Sequence, residues 1–196
     1  MFQVRIHGRG GQGVVTAAEL LSVAAFIDGR HAQAFPSFGS ERMGAPIVSY
    51  CRIDDHPIRA HEPVNDPDGL IVQDATLLHH VDLFAGLTTE GYVLVNTPGR
   101  FDELGLGSLV DRFRPDRLAT CPATQIAQEQ LGRPLPNAAL LGAFAALTGV
   151  VSLDALGTAI RQRYPGEVGE RNVVAAAAAS CTIESSPSEL SRAAAD

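Results

Sequence analysis

Hydrophobic and polar residues alternate at the start of the chain. In FQVRIH (residues 2–7) every second residue is apolar, and a period of two predicts a first β-strand. From Val14 to Ile27 apolar residues recur three or four positions apart, which predicts a helix that ends at Asp28-Gly29. RHAQAF (residues 30–35) is then predicted as a second strand. A strand-turn-helix-strand unit implies a parallel pair of strands with a right-handed crossover.

Similar patterns divide the rest of the chain. Short apolar runs between turn residues predict strands over 47–53, 69–74, 91–97 and 117–121. Helical spacing predicts helices over 75–84, 123–132, 137–148, 152–164 and 172–180. We therefore predict an α/β fold with a Rossmann-like open, mainly parallel sheet, flanking helices and a helical C-terminal part. Residues 1–182 are expected to form one domain, and the small, polar residues 183–196 a poorly ordered tail.

The turn between the first strand and the first helix is rich in glycine. GRGGQG (residues 8–13) satisfies G-x-G-x-x-G. Glycines let a ligand approach the backbone, and the N–H groups at the start of a helix attract anions. A dinucleotide site also needs an acid at the end of the second strand, where this chain has Phe35-Pro36-Ser37. The motif alone is thus weak evidence for NAD or FAD, and a turn that needs glycine only for packing is the alternative.

A second loop, residues 36–46, follows the second strand and contains two prolines and two glycines. The carboxyl ends of parallel strands share one edge of a sheet, so we expect this loop to lie near the glycine turn. Arg42 in this loop is the candidate for binding a phosphate, and an ion pair with Glu41 or another acid is the alternative.

Composition excludes several classes of function. The formal net charge is −7 with no long basic run, which argues against nucleic acid or an anionic membrane as partner. The chain has no lysine, so no lysine side chain can form a Schiff base. Its three cysteines stand far apart without a C-x-x-C motif, which favours a reducing cytoplasm and disfavours an iron–sulfur cluster held by this chain. We find no catalytic constellation and no metal-ligand spacing, so no catalytic or metal site is predicted.

The two glycine-containing loops together resemble a known family. GRGGQG, FGSERMGAP (residues 38–46), VLVNT and PNAALLGAFAALTG occur in the order found in the gamma subunits of pyruvate:ferredoxin oxidoreductase and, more broadly, of 2-oxoacid:acceptor oxidoreductases. The resemblance covers about residues 1–178. One departure is Met43, which stands where many relatives carry a second basic residue.

The resemblance implies a noncatalytic subunit of a complex that converts a 2-oxoacid and coenzyme A into acyl-CoA, carbon dioxide and two electrons. Thiamine diphosphate, Mg and iron–sulfur clusters are expected on alpha, beta and delta partner subunits, with ferredoxin or another electron acceptor. This chain is expected to bind no cofactor alone but to help form the coenzyme A site, through residues Gly11, Gln12, Gly13, Phe38, Ser40, Arg42 and Met43. Asn137 is either a further site residue or only a helix N-cap. A purely structural docking subunit and a nicotinamide-binding oxidoreductase are the alternatives.

Overall fold

Six strands form one sheet in the computed structural model, which describes residues 1–37, 43–60, 62–79, 82–107 and 111–184. The strand order is β2-β3-β1-β4-β5-β6. β3 runs antiparallel to both of its neighbours, and the pairings from β1 to β6 are parallel. The strands are β1 (Phe2–Arg9), β2 (His31–Pro36), β3 (Pro46–Asp54), β4 (Gly69–Val72), β5 (Tyr92–Asn96) and β6 (Leu118–Cys121). The predicted α/β class and mainly parallel sheet are confirmed.

Five α-helices lie in the described residues: α1 (Val14–Ile27), α2 (Ala123–Leu131), α3 (Asn137–Thr148), α4 (Leu153–Arg163) and α5 (Glu167–Glu184). Their ends follow the sequence signals. Asp28 and Gly29 end α1, a left-handed Gly149 ends α3, and the Ser152 hydroxyl caps α4. The tail predicted from residue 183 stays a prediction, since only its first two residues, in α5, are described.

The sheet carries a separate apolar cluster on each face. On one face Val4 and Ile6 of β1 pack with α1, α3, α4 and α5. On the other face Val72 of β4 and Val95 of β5 pack with side chains from the connecting segments, such as Leu83. The chain therefore leaves β1 toward one face and β4 toward the other. In open α/β sheets ligands bind beside the carboxyl ends of strands at such a switch in direction.

The prediction that the first two strands pair directly was wrong. β3 lies between β1 and β2 and pairs antiparallel with both, so that Val4 and Ala34 both oppose Cys51. β1 and β2 still point the same way. A period of two shows which residues share a face but not which strand lies alongside.

The predicted helix over 75–84 is shorter in the structure, where a 3-10 helix covers Ala75–His79. Arg5 of β1 explains part of the difference. Its buried guanidinium donates hydrogen bonds to the carbonyl oxygens of Leu83 at 2.9 Å and Ala85 at 2.7 Å. These two carbonyls accept hydrogen bonds from a charged side chain and not from backbone N–H groups of a further helical turn.

Candidate functional site

The glycine turn and the end of the second loop lie together at the carboxyl edge of the sheet. The Gly10 N–H donates to the carbonyl of Ala45 at 2.9 Å, and the Gly44 N–H donates to the carbonyl of Gly10 at 3.1 Å. The predicted proximity of the two loops is confirmed for this described part of the second loop. Its residues 38–42 lie outside the described residues.

The N–H groups at the start of α1 have no side-chain cap from the described part of the chain. Gly13 is the N-cap residue, in the left-handed conformation at φ 74°, and no side chain of the described residues caps the helix. The first turn carries no acidic residue. The N–H groups of Val14, Val15 and Thr16 have no acceptor within the helix, and they lie at the positive end of its dipole. This end of α1 is therefore suited to an anion.

A groove of about 410 Å³ lies in front of this helix end. Its walls include Arg9, Gly11, Val15, Thr16 and Met43. Met43 is 86% exposed, and its terminal methyl lies 2.9 Å from the position that a Cβ on Gly11 would take. Gly11 has φ 94°, so both its backbone conformation and this contact require glycine. Among the described residues, the groove combines apolar side chains, the Arg9 guanidinium and backbone donors.

Gln12 is not among the described residues that line the groove, and its side chain holds the turn together. Its Oε1 accepts a hydrogen bond from the Arg9 N–H at 2.8 Å, and its Nε2 donates to Asp74 Oδ2 at 2.9 Å. Asp74 comes just after β4, across the switch point from the turn. The carboxamide of Gln12 is thus engaged within the protein on both of its polar atoms.

Arg9 joins the same cluster through one ion pair and two hydrogen bonds. Its Nε lies 3.2 Å from Asp74 Oδ2, and its two terminal nitrogens donate to the Gly44 carbonyl at 3.0 Å and to Thr76 Oγ1 at 2.8 Å. Partial burial raises the pKa of Asp74, but hydrogen bonds from Thr76 and Gln12 and the charge of Arg9 outweigh it. The net pKa lies below the usual range, and the carboxylate stays ionised at neutral pH.

The structure therefore brings together some of the predicted residues. Gly11, Gly13 and Met43 line the groove, whereas the Gln12 side chain stabilises the turn behind it. Phe38, Ser40 and Arg42 lie outside the described residues. Sequence reasoning missed the cluster of Arg9, Asp74 and Thr76, although the acid after a buried strand was a usable signal.

Asn137 is not the N-cap of α3, contrary to one of the two interpretations from sequence. Pro136 occupies the N-cap position, and no side chain caps this helix. Asn137 is the first helical residue and is buried. Its Nδ2 lies 2.7 Å from the position of a Cβ on Gly13. Its carboxamide therefore packs against the start of α1.

The topology disfavours a dinucleotide at this turn. In a dinucleotide-binding fold the strand next to β1 is parallel and ends in an acid that binds the ribose. Here the strand between β1 and β2 is β3, which is antiparallel to β1 and places Pro46 opposite Arg9. β2 does end at the same edge, but at Pro36 and one strand further away.

The two buried cysteines do not fit an iron–sulfur cluster. Cys51 on β3 and Cys121 on β6 are buried and four strands apart in the sheet, which is roughly 19 Å at the usual strand spacing. Burial raises the pKa of both thiols, that of Cys121 to about 11, and so disfavours the thiolate that binds iron. Among the described residues no group of three His, Cys, Asp or Glu could hold a metal.

Residues 3–181 match the family model described as pyruvate ferredoxin/flavodoxin oxidoreductase. The fold and the groove define a Rossmann-like α/β protein with a glycine turn and an uncapped helix end at its switch point. The chain belongs to the pyruvate ferredoxin/flavodoxin oxidoreductase family, as a gamma subunit of a pyruvate or 2-oxoacid:ferredoxin oxidoreductase complex.

Curated relatives agree over nearly the whole chain. The chain is 48% identical to pyruvate synthase subunit PorC of Methanothermobacter marburgensis, over 90% of this chain and 94% of the relative. It is 48% identical, with the same coverage, to the pyruvate/ketoisovalerate oxidoreductases common subunit gamma of Pyrococcus abyssi.

Solved structures share the fold. The crystal structure of pyruvate oxidoreductase subunit PORC from Thermotoga maritima has a TM-score of 0.76 at 34% identity, covering 91% of this chain and 94% of that one. 2-Oxoglutarate:ferredoxin oxidoreductase from Magnetococcus marinus has a TM-score of 0.71 at 18% identity, covering 93% of this chain but 31% of that one. Among the helices of the described segments, none has the length and apolarity that a bilayer crossing requires.

Proposed function

We propose that this chain helps to form the coenzyme A site of its complex, and that the groove at the start of α1 takes the phosphate-bearing part of coenzyme A. The observation that carries the proposal is the uncapped first turn of α1 beside Gly11 and Gly13. Coenzyme A carries a diphosphate and a further phosphate, which need N–H donors and cations. The Magnetococcus enzyme is described with coenzyme A and succinyl-CoA bound, which supports this choice of ligand.

Met43 and Arg42 have different roles in this proposal. Met43 is almost fully exposed above Gly11 and offers an apolar, polarisable contact to the ligand. Arg9 is paired with Asp74, so its charge is balanced within the protein. Arg42, adjacent to Met43 in sequence, therefore remains our candidate for the cation that binds a phosphate, with Ser40 and Phe38 as further contacts.

The reaction chemistry belongs to partner subunits in this proposal. Alpha, beta and delta subunits hold thiamine diphosphate, Mg and the iron–sulfur clusters, and ferredoxin or another acceptor takes the two electrons. The unsuitable cysteines of this chain support that division. The same unpaired, sparse cysteines favour a reducing compartment, so we place the complex in the cytoplasm. Residues 1–182 form the gamma-type domain of the complex in this proposal.

A charge placed at the groove tests the ligand. Thr16 is half-buried in the groove wall, and Thr16→Glu would place a carboxylate where the phosphate is proposed to bind. An acid in the first turn favours the helix itself, so folding should survive. We expect the KM for coenzyme A in the reassembled complex to rise roughly 10- to 50-fold, as like charges about 4–6 Å apart repel by a few kcal/mol.

Thr16→Gln is the matched control, because it has the same size as the Glu variant without its charge. The KM for the oxoacid should stay the same in both variants, and so should decarboxylation without coenzyme A. Equal coenzyme A constants for the Glu and Gln variants, in intact complexes, would show that the groove does not bind the phosphates. That result would favour a docking subunit without ligand contact at this groove.

A further inference from the structure

The carboxylate of Asp74 is the centre of the hydrogen-bonded cluster behind the groove. Oδ2 accepts from Gln12 Nε2 at 2.9 Å and pairs with Arg9 Nε at 3.2 Å. Oδ1 accepts from the N–H of Thr76 at 3.0 Å and from its hydroxyl at 2.5 Å. The side chain is only 15% exposed. Both oxygens are therefore occupied within the protein, and Asp74 is not a ligand-facing group.

These contacts connect three separate segments of the chain. Gln12 lies in the glycine turn, Thr76 follows β4, and Arg9 continues the connection to the carbonyl of Gly44 in the second loop. Gly44 in turn donates to Gly10. The two walls of the groove, at the glycine turn and beside Met43, are thus both connected to one ionised carboxylate that follows β4, in addition to the direct backbone contacts between them.

Backbone donors work well on an anion only when they are fixed in place beforehand. A flexible glycine turn would lose conformational entropy on binding, and that loss would weaken the affinity. The turn contains Gly10, Gly11 and Gly13, and their backbone freedom is restrained by the Gln12 side chain and the contacts of Gly10. The cluster supplies the rigidity that the glycines lack.

We propose that Asp74 is a positioning residue of the coenzyme A groove, which fixes the glycine turn and the Met43 segment before coenzyme A binds. The inference rests on the proposed function of the groove. It concerns a residue that touches neither the ligand nor the reacting atoms and acts through Arg9 and Gln12. A change of Asp74 should therefore affect the KM for coenzyme A and no other kinetic constant.

The test uses Asp74→Ala and Asp74→Asn in the reassembled complex. We expect Asp74→Ala to raise the KM for coenzyme A about 10-fold, because the contacts with Gln12 and Arg9 that order the turn are lost. The change should fall on the KM for coenzyme A rather than on kcat or on the KM for the oxoacid. Asp74→Asn keeps one acceptor oxygen for Thr76 or Gln12 but loses the ion pair, so its effect should be intermediate.

Asp54→Ala is the matched control. Asp54 is also a poorly exposed carboxylate in an ion pair, with the N-terminal amine at 3.0 Å. It lies at the end of β3 that is far from the groove, whereas Pro46, at the near end, pairs with Arg9. This variant should lower thermal stability without moving the KM for coenzyme A. An equal effect of Asp54→Ala on that KM would mean general destabilisation and would overturn the positioning role.

The other outcomes separate this inference from the proposed function. An unchanged or lowered KM for coenzyme A in Asp74→Ala, while Thr16→Glu still raises it, overturns the role of Asp74 and leaves the groove as the binding site. If Thr16→Glu has no effect either, both proposals fail. Should the Asp74→Ala complex not assemble, Asp74→Asn decides by the same criterion.

Discussion

The N-terminal ends of α1 and α4 differ in whether a side chain accepts hydrogen bonds from their first backbone N–H groups. At the N-terminal end of α1 no side chain among the described residues caps the first N–H groups, and the first turn itself contains no acidic residue. At its C-terminal end α1 meets the start of α4, where the N–H groups are capped. The Ser152 hydroxyl accepts from the Ala155 N–H at 3.1 Å and donates to Asp28 Oδ1 at 2.7 Å, and Asp154 adds an acid to the first turn.

The start of α1 has the features of an anion-binding helix end, and the start of α4 those of a structural one. A cap and a first-turn acid each stabilise a helix, and α4 has both. α1 forgoes both and begins instead at a left-handed glycine in the wall of a groove. An acid there would repel an incoming phosphate. Changes at the two helix starts should therefore have different consequences, for ligand binding at α1 and for stability alone at α4.

The largest expected effect is the pH dependence of the free energy of unfolding. It comes from His7, a buried histidine that lies just before the glycine turn of α1. Burial, and to a lesser extent the charge of Arg5, lower the pKa of His7 from 6.5 to about 4. Between these values the unfolded chain binds more protons, so the contribution is complete above pH 6.5 and is lost as the pH falls toward 4. The loss amounts to roughly 3 kcal/mol over that range.

Urea denaturation at pH 5 and pH 7.5 measures this dependence, with circular dichroism as the probe because the chain has no tryptophan. His7→Leu should make the free energy of unfolding less dependent on pH. His56→Asn is the control, since the side chain of His56 is 89% exposed. The same pH dependence in His7→Leu and in the wild type would contradict the prediction.

The second effect is on ligand binding at the α1 end. We predict that Arg42→Ala raises the KM for coenzyme A by roughly 10- to 100-fold, since a charge-assisted hydrogen bond is typically worth ~1.5–3 kcal/mol. Steady-state kinetics of the reassembled complex measure it. Arg30→Ala is the matched control near α4, because Arg30 pairs with Asp55 and contacts the Val150 carbonyl. Equal constants in the Arg42 variant and the wild type would assign Arg42 to another role.

Most of the fold could be predicted because it depends on local patterns. The C-terminal end of α1 follows from Asp28-Gly29 and the start of α4 from Ser152, because the backbone groups with which these residues end or cap a helix lie within a few positions. The position of β3 between β1 and β2 depends on contacts distant in sequence, and alternation of residues carries no information on them.

The site was only partly predictable for the same reason. The glycine motif and the second loop identify the groove, since glycine positions with φ near 74–94° need that residue. The roles of Gln12 and Asp74 depend on a contact 62 residues apart in sequence. A motif shows that Gln12 matters but cannot show that its carboxamide faces a carboxylate rather than a ligand.

The third effect is on stability at the α4 end. Ser152→Ala removes the cap and its contact with Asp28, and we expect the free energy of unfolding to fall by about 1 kcal/mol. Ser152→Thr keeps the hydroxyl and should lose only a few tenths of a kcal/mol or less. Urea denaturation measures both. The KM for coenzyme A should be the same in both variants, and a raised constant in Ser152→Ala would contradict the division between the two helix starts.

The smallest effect comes from the acid in the first turn of α4. Asp154 is exposed and lies near the positive end of the helix dipole, so Asp154→Asn should lower the free energy of unfolding by only ~0.3–1 kcal/mol. The loss should shrink as salt is added, because the interaction is screened. The groove should be unaffected, so the KM for coenzyme A should not move. Thr16→Glu adds the same kind of charge to α1 and should do the reverse, slightly favouring the helix while weakening coenzyme A binding. If both acids changed only stability, the start of α1 would be a structural helix end like that of α4.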